Sequence, residues 1–94
     1  MKKTSKLFER LTVAADLQDE PIPGLPLVEI AGDRRVLIEN HDGVCEYGDH
    51  QISVKVGFGT ICISGCDLIL SRMTKGQLIV SGRIESLMLR RERM

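Results

Sequence analysis

Gly59-Thr60-Ile61-Cys62-Ile63-Ser64-Gly65 and Gly76-Gln77-Leu78-Ile79-Val80-Ser81-Gly82 are two copies of one pattern, 17 residues apart. Between the two glycines of each copy, apolar side chains recur at every second position. That period is the mark of a strand with one buried face. The glycines supply the positive φ of a tight turn or the bare backbone of a close approach. Glu29-Ile30-Ala31-Gly32 is a third, fainter copy of the same ending. After each copy another apolar run begins.

The same period extends outward in both directions. Val28 and Ile30 alternate with Leu27, Glu29 and Ala31, and Val36-Leu37-Ile38 follows. Ile52, Val54 and Val56 alternate with Gln51, Ser53 and Lys55. Leu68 and Leu70 come after the first copy, and Ile84, Leu87 and Leu89 after the second. Glycine, Asp and Asn separate these runs every 8–12 residues, the spacing of an all-β unit. The sequence predicts a mainly β protein, a small antiparallel meander, roll or sandwich of about 7–8 short strands. The alternative is a short β-solenoid, with the repeats as stacked coils. The expected core is Val36, Ile38, Ile52, Val54, Ile61, Ile63, Leu68, Leu70, Leu78, Val80, Ile84 and Leu87. Gly65 and Gly82 are expected at tight turns or close strand approaches.

Upstream the period changes. Leu7, Leu11, Ala14 and Ala15, with Phe8 beside them, recur at helical spacing over residues 4–18. Thr4 or Ser5 can cap this helix, and Asp19-Glu20-Pro21 ends it. Pro21-Ile22-Pro23-Gly24-Leu25-Pro26 is a stiff connector. The organisation is therefore an N-terminal amphipathic helix (1–20), a Pro-rich connector (21–26) and a β-rich domain (27–94).

Composition narrows the function. Thirteen basic residues balance 13 acidic ones, unlike the basic excess of a general nucleic-acid binder. Phe8, Tyr47 and Phe58 are the only aromatics, too few for a base-stacking platform. No run approaches the roughly 18 apolar residues of a membrane span. Three cysteines and no signal peptide point to a soluble protein of a reducing compartment, the cytoplasm by default. Charge is uneven: residues 21–60 carry three basic and six acidic side chains, residues 61–94 six and three.

Candidate chemistry is sparse. His41, Cys45 and His50, with Cys62 and Cys66, are zinc-ligand types, but Cys62-Ile-Ser-Gly-Cys66 has no second closely spaced pair to complete it. No cysteine sits before a helix that would activate it. Ser64 and Ser81 precede glycines in a strand-ending pattern, not a nucleophile elbow. Gly57-Phe58-Gly59 lacks the Lys-Ser/Thr of a phosphate loop. No catalytic, cofactor or metal residue is assigned, and an enzyme is not expected. The most distinctive segment, Asn40-His41-Asp42-Gly43, reads as a hairpin loop: Asn and Asp tolerate left-handed geometry and Gly takes the strained position. His41 then projects at the tip or folds back onto backbone groups.

Taken together, Ile38-Glu39-Asn40-His41-Asp42-Gly43, Tyr47, Ile52-Ser53-Val54, the 59–65 copy, Leu68-Ile69-Leu70 and Ile79-Val80-Ser81-Gly82-Arg83-Ile84-Glu85-Ser86-Leu87 resemble the YabP/YqfC family of endospore-forming bacteria. The resemblance covers about residues 7–89. The amphipathic N-terminus and Gly24-Leu25-Pro26-Leu27-Val28-Glu29-Ile30-Ala31-Gly32 favour its YqfC branch. It implies a small protein needed for endospore formation, made in the mother cell, with a YqfD-like membrane-associated sporulation protein as partner. No catalytic residue comes with it, and the cysteines are not part of its pattern. The functional expectation is a non-catalytic interaction or assembly module, cytoplasmic in the mother cell and peripheral at the forespore membrane. It would bind that partner or form a homo-oligomer through Leu7, Phe8, Leu11, Asn40 and His41, with a sheet edge as the second contact. The alternative is a small metal- or ligand-binding protein or enzyme using His41, Cys45 and His50.

Overall fold

The computed structural model describes residues 25–92. The helix expected over 1–20 and nearly all of the connector lie outside them. The described chain forms six strands: β1 (Leu27–Ala31), β2 (Arg35–Glu39), β3 (Val44–Tyr47), β4 (Gln51–Val56), β5 (Gly59–Met73) and β6 (Gln77–Arg91). They make one sheet in the order β1-β2-β6-β5-β4-β3, and every ladder is antiparallel. Stacked solenoid coils would pair in parallel, so the solenoid alternative is set aside.

Six strands replace the 7–8 expected because β5 and β6 each run for 15 residues. The runs around Leu68 and around Ile84 are continuations, not new strands. Residues 59–64 of β5 pair with β4 on one side and with the end of β6 on the other. Residues 77–81 of β6 pair with β2 on one side, and residues 78–81 with the end of β5 on the other. Each long strand thus serves two four-stranded halves in succession. The halves share one apolar core. A strand that passes from one packed sheet to another must bend, and bulges are the usual means. Here the register between β5 and β6 shifts at Ser64/Gly65, Cys66/Ile69 and Leu70/Arg72.

Gly65 and Gly82 sit at this bend. A Cβ on Gly65 would collide with the carbonyl oxygen of Arg83 on β6. A Cβ on Gly82 would stand 2.5 Å from the carbonyl oxygen of Asp67 on β5. Both are close strand approaches, as expected, and neither is a turn. Gly82 also has φ 138° and Asp67 φ 53°, so the crossing uses left-handed backbone on both strands. The turns of the flanking hairpins clamp it. Gly65 and Leu68 donate to the carbonyls of His50 (3.0 Å) and Asp49 (2.9 Å), and Gly82 and Ile84 to those of Arg34 (3.1 Å) and Asp33 (2.7 Å).

Nine of the twelve expected core residues are fully buried: Val36, Ile38, Ile52, Val54, Ile61, Ile63, Leu68, Leu78 and Val80. Val56 joins them. Leu70, Ile84 and Leu87 are only half-buried against this core, because each lies on a stretch of β5 or β6 beyond the flanking strands. Strand β3 is the element the periodicity missed. Val-Cys-Glu-Tyr has one half-buried and three exposed residues and a register shift between Val44 and Glu46, so no alternation marks it.

Candidate functional site

Asn40-His41-Asp42-Gly43 is not a hairpin loop. β2 has β1 and β6 as neighbours, while β3 pairs with β4 at the far edge of the sheet. With both sides of β2 occupied, the chain cannot turn back beside it and instead crosses from one half to the other. Asn40 does take left-handed geometry (φ 68°), and Gly43 has φ 116°. The crossing is tied at both ends. Asn40 N–H donates to Gly76 O (2.6 Å), at the β5–β6 turn. Asp42 N–H donates to Lys55 O and Lys55 N–H to Gly43 O, both at 2.7 Å, on β4. The exposed Asn40 donates through Nδ2 to Leu25 O at 2.9 Å.

His41 folds back, one of the two arrangements expected for it. It is 7 % exposed. Gly43 N–H donates to its Nδ1 at 2.9 Å, and its Nε2 lies 3.1 Å from Thr74 O. A ring nitrogen that accepts carries no proton, so the proton is on Nε2 and is given to Thr74. Both nitrogens are therefore engaged inside the chain. His50 stands apart at the clamped β3–β4 turn, with Nδ1 3.1 Å from Gly65 O and its side chain 75 % exposed. Its Nε2 is 4.0 Å from the equally open Asp49, a solvated pair of little energetic weight. Cys45 is exposed on β3, 3.5 Å from Ser53 O. The three residues of the metal-binding alternative do not converge, and no group of three or more metal-ligating side chains occurs among the described residues.

The outer face of the β3–β4–β5 half carries an open groove of about 430 Å³ between Cys45, Glu46, Ser53, Cys62 and Arg90. Sequence reading did not anticipate it, because its walls come from four strands and include the unmarked β3. Ser53 is buried there. Its Oγ lies 3.1 Å from Glu46 Oε1 and 3.4 Å from Cys62 Sγ, and Gln51 Nε2 donates to the same carboxylate at 3.3 Å. Glu46 thus spends one carboxylate oxygen on its own sheet. Cys66, on the same row, lies 3.6 Å from Glu85 Oε2. Partial burial, then the adjacent carboxylate, push its thiol pKa above the ordinary value, which keeps it protonated and weakly nucleophilic. Among the described residues every buried side-chain nitrogen and oxygen has a hydrogen-bond partner. No orphaned polar group awaits a ligand there.

What remains unsatisfied is apolar and lies at the strand edges. Leu27 and Ile30 on β1, Ile69 and Met73 on β5, and Met88 and Leu89 on β6 are all exposed. Leu7, Phe8 and Leu11, the apolar stripe expected to make contacts, lie outside the described residues. No helix among the described residues is long and apolar enough to cross a membrane.

The YabP family model matches residues 26–94. The chain is similar to the "Uncharacterized protein YqfC" of Bacillus subtilis (strain 168), with 23 % identity over 84 residues, 89 % of this chain and 90 % of that protein. No solved structure matches.

Proposed function

The chain belongs to the YabP family, and from that membership we propose that it is a non-catalytic assembly module of endospore formation. In this reading it works in the mother cell, peripheral to the forespore membrane, and holds a YqfD-like membrane-associated partner. The observation that carries the reading is how the side chains are spent. The buried polar groups, His41 and Ser53, are satisfied within the fold, while large apolar side chains stand in solvent along the strand edges. Apolar side chains on open edges are what a contact surface needs and what an isolated domain avoids.

The test is a pull-down from sporulating cells, using the full chain and a Leu7→Asp, Leu11→Asp variant, scored beside heat-resistant spore counts in a strain lacking the native copy. The reading expects the full chain to restore spores and to capture the membrane-associated protein. It expects the variant to stay folded and lose both. A variant that restores spores at full yield without capturing any partner overturns it.

A further inference from the structure

The end of β6 is an edge of unusual regularity. Residues 86–91 pair with residues 64–59 of β5 without a shift. On their other side no strand follows among the described residues, since β2 covers β6 only over 77–81. The three other open edges are blunted. β3 is four residues long with a register shift inside it. The second half of β5 is broken at Cys66/Ile69 and Leu70/Arg72. β1 is five residues with Glu29 at its centre, so pairing about that centre would set like charges together. Short strands, bulges and charges are the usual protection of an edge. The end of β6 has none of the three over Ser86–Leu89, and there Met88 is 55 % and Leu89 59 % exposed.

The direction of its backbone is fixed. Glu92 N–H donates to Phe58 O at 2.9 Å, so the even-numbered residues at this end turn their amides toward β5. By alternation, Leu87 and Leu89 turn theirs outward. Faces follow the register: Leu87 and Leu89 lie opposite the core residues Ile63 and Ile61, whereas Ser86, Met88 and Arg90 lie opposite Ser64, Cys62 and Thr60 on the outer face. Glu85 is the extra residue of the Ser64/Gly65 shift, and its approach to Cys66 puts it on that outer face as well.

We propose that the end of β6 pairs antiparallel with the same strand of a second copy about a two-fold axis at Met88, joining two sheets into one. In this register the outward amides and carbonyls of Leu87 and Leu89 meet those of Leu89 and Leu87, making about four backbone hydrogen bonds. The leucines extend the apolar row of Ile61 and Ile63, and Met88 faces its own copy. Arg90 falls opposite Ser86 with Glu85 beside it, so opposite charges meet on the outer face at both ends. Centring the pair on Leu87 loses this charge match, and centring it on Leu89 sets Arg91 against Leu87. An isologous contact of this kind closes on itself as a dimer. The inference rests on the assembly reading only in naming the first partner as a second copy. Capture of the membrane-associated protein is scored separately and can fail or succeed without it.

The test uses the full chain under reducing conditions. Sedimentation is expected to show a monomer–dimer equilibrium, and amide exchange at Leu87 and Leu89 is expected to slow as concentration rises. Leu89→Lys should weaken the dimer at least tenfold. Arg90→Glu should weaken it several-fold, and adding Glu85→Arg should restore it. Under mild oxidation Met88→Cys should give an 88–88 linked dimer by peptide mapping, and Ser86→Cys should not. Exchange at Leu87 and Leu89 that ignores concentration overturns the proposal, and it needs no variant to fold. A dimer indifferent to Leu89→Lys overturns it as well. A chain monomeric into the hundreds of micromolar, with these amides protected only on adding the membrane-associated partner, would give the edge to that partner instead.

Discussion

The two halves of the sheet are built on the same pattern and finished differently. In one, residues 59–65 lie between β4 and the end of β6; in the other, residues 76–82 lie between β2 and the end of β5. Ile61 and Ile63 occupy in the first the places of Leu78 and Val80 in the second, and all four are fully buried. The clamps correspond too, with the carbonyls of Asp49 and His50 in one and of Asp33 and Arg34 in the other. The neighbours differ. The first half ends in an unbroken outer strand, residues 86–91 of β6; the second ends in the twice-shifted β5. A repeated seven-residue pattern is enough to set a central strand and its bend, but the edges are decided by residues outside it.

The largest expected effect tests whether the halves are energetically alike. Ile61→Ala and Leu78→Ala should each cost about 2–5 kcal/mol in denaturant unfolding, with a single transition in both. A difference of more than about 2 kcal/mol would mean that one half carries most of the stability. Gly65→Val and Gly82→Val come next. Each should destabilise by more than about 1 kcal/mol, because a β-branched side chain meets the opposite backbone. Gly82→Val should be the worse of the two, since its φ of 138° adds strain that Gly65 does not have. A larger loss at Gly65, whose missing Cβ would come nearer the opposing carbonyl, would show that collision alone sets the penalty.

The two histidines differ in how much of the fold depends on them. His41→Ala leaves Gly43 N–H and Thr74 O without their partner and should cost about 1–3 kcal/mol. His50→Ala, at an open turn, should stay within about 0.5 kcal/mol. Equal effects would remove the distinction between the crossing and the turn. The smallest effect is at Cys66. Its alkylation rate should rise with pH later than that of a free thiol, because the reactive thiolate appears only above its raised pKa. Glu85→Gln should move the profile only part of the way back, since partial burial is the larger cause. A complete return would put the carboxylate first.

The sequence made the strand interiors legible and the strand ends illegible, for a physical reason. Alternation reports a difference between two faces, so Ile52, Val54, Ile61, Ile63, Leu78 and Val80 announced themselves. It says nothing of whether a strand stops at a glycine or bends there. Gly65 and Gly82 looked like ends because a strand with a free backbone at that point would turn. They are bends because another strand's carbonyl occupies the space of the missing Cβ. The crossing at residues 40–43 had the residues of a hairpin loop, and its chemistry was right: Asn40 is left-handed and His41 bonds backbone. Its destination was hidden, because the second partner of β2, β6, comes from a segment about 40 residues away. The groove on the outer face was hidden for the same reason as β3: no polar residue there stands out until four strands bring Glu46, Ser53, Cys62 and Arg90 together.

The sharing of β5 and β6 between the halves has a kinetic consequence. The β5–β6 hairpin and the adjoining β4 are neighbours in sequence and can form early, through short loop closures. β2 reaches its place only when Arg35 finds Ser81, across most of the described chain. That closure costs less chain entropy once the hairpin has formed, and the contact of His41 with Thr74, 33 residues apart, carries the same cost. Substitutions in β4 and the first half of β5 should therefore slow refolding, while those in β1, β2 and the His41 crossing should mainly hasten unfolding. The last part of the sheet to assemble would be the first to open.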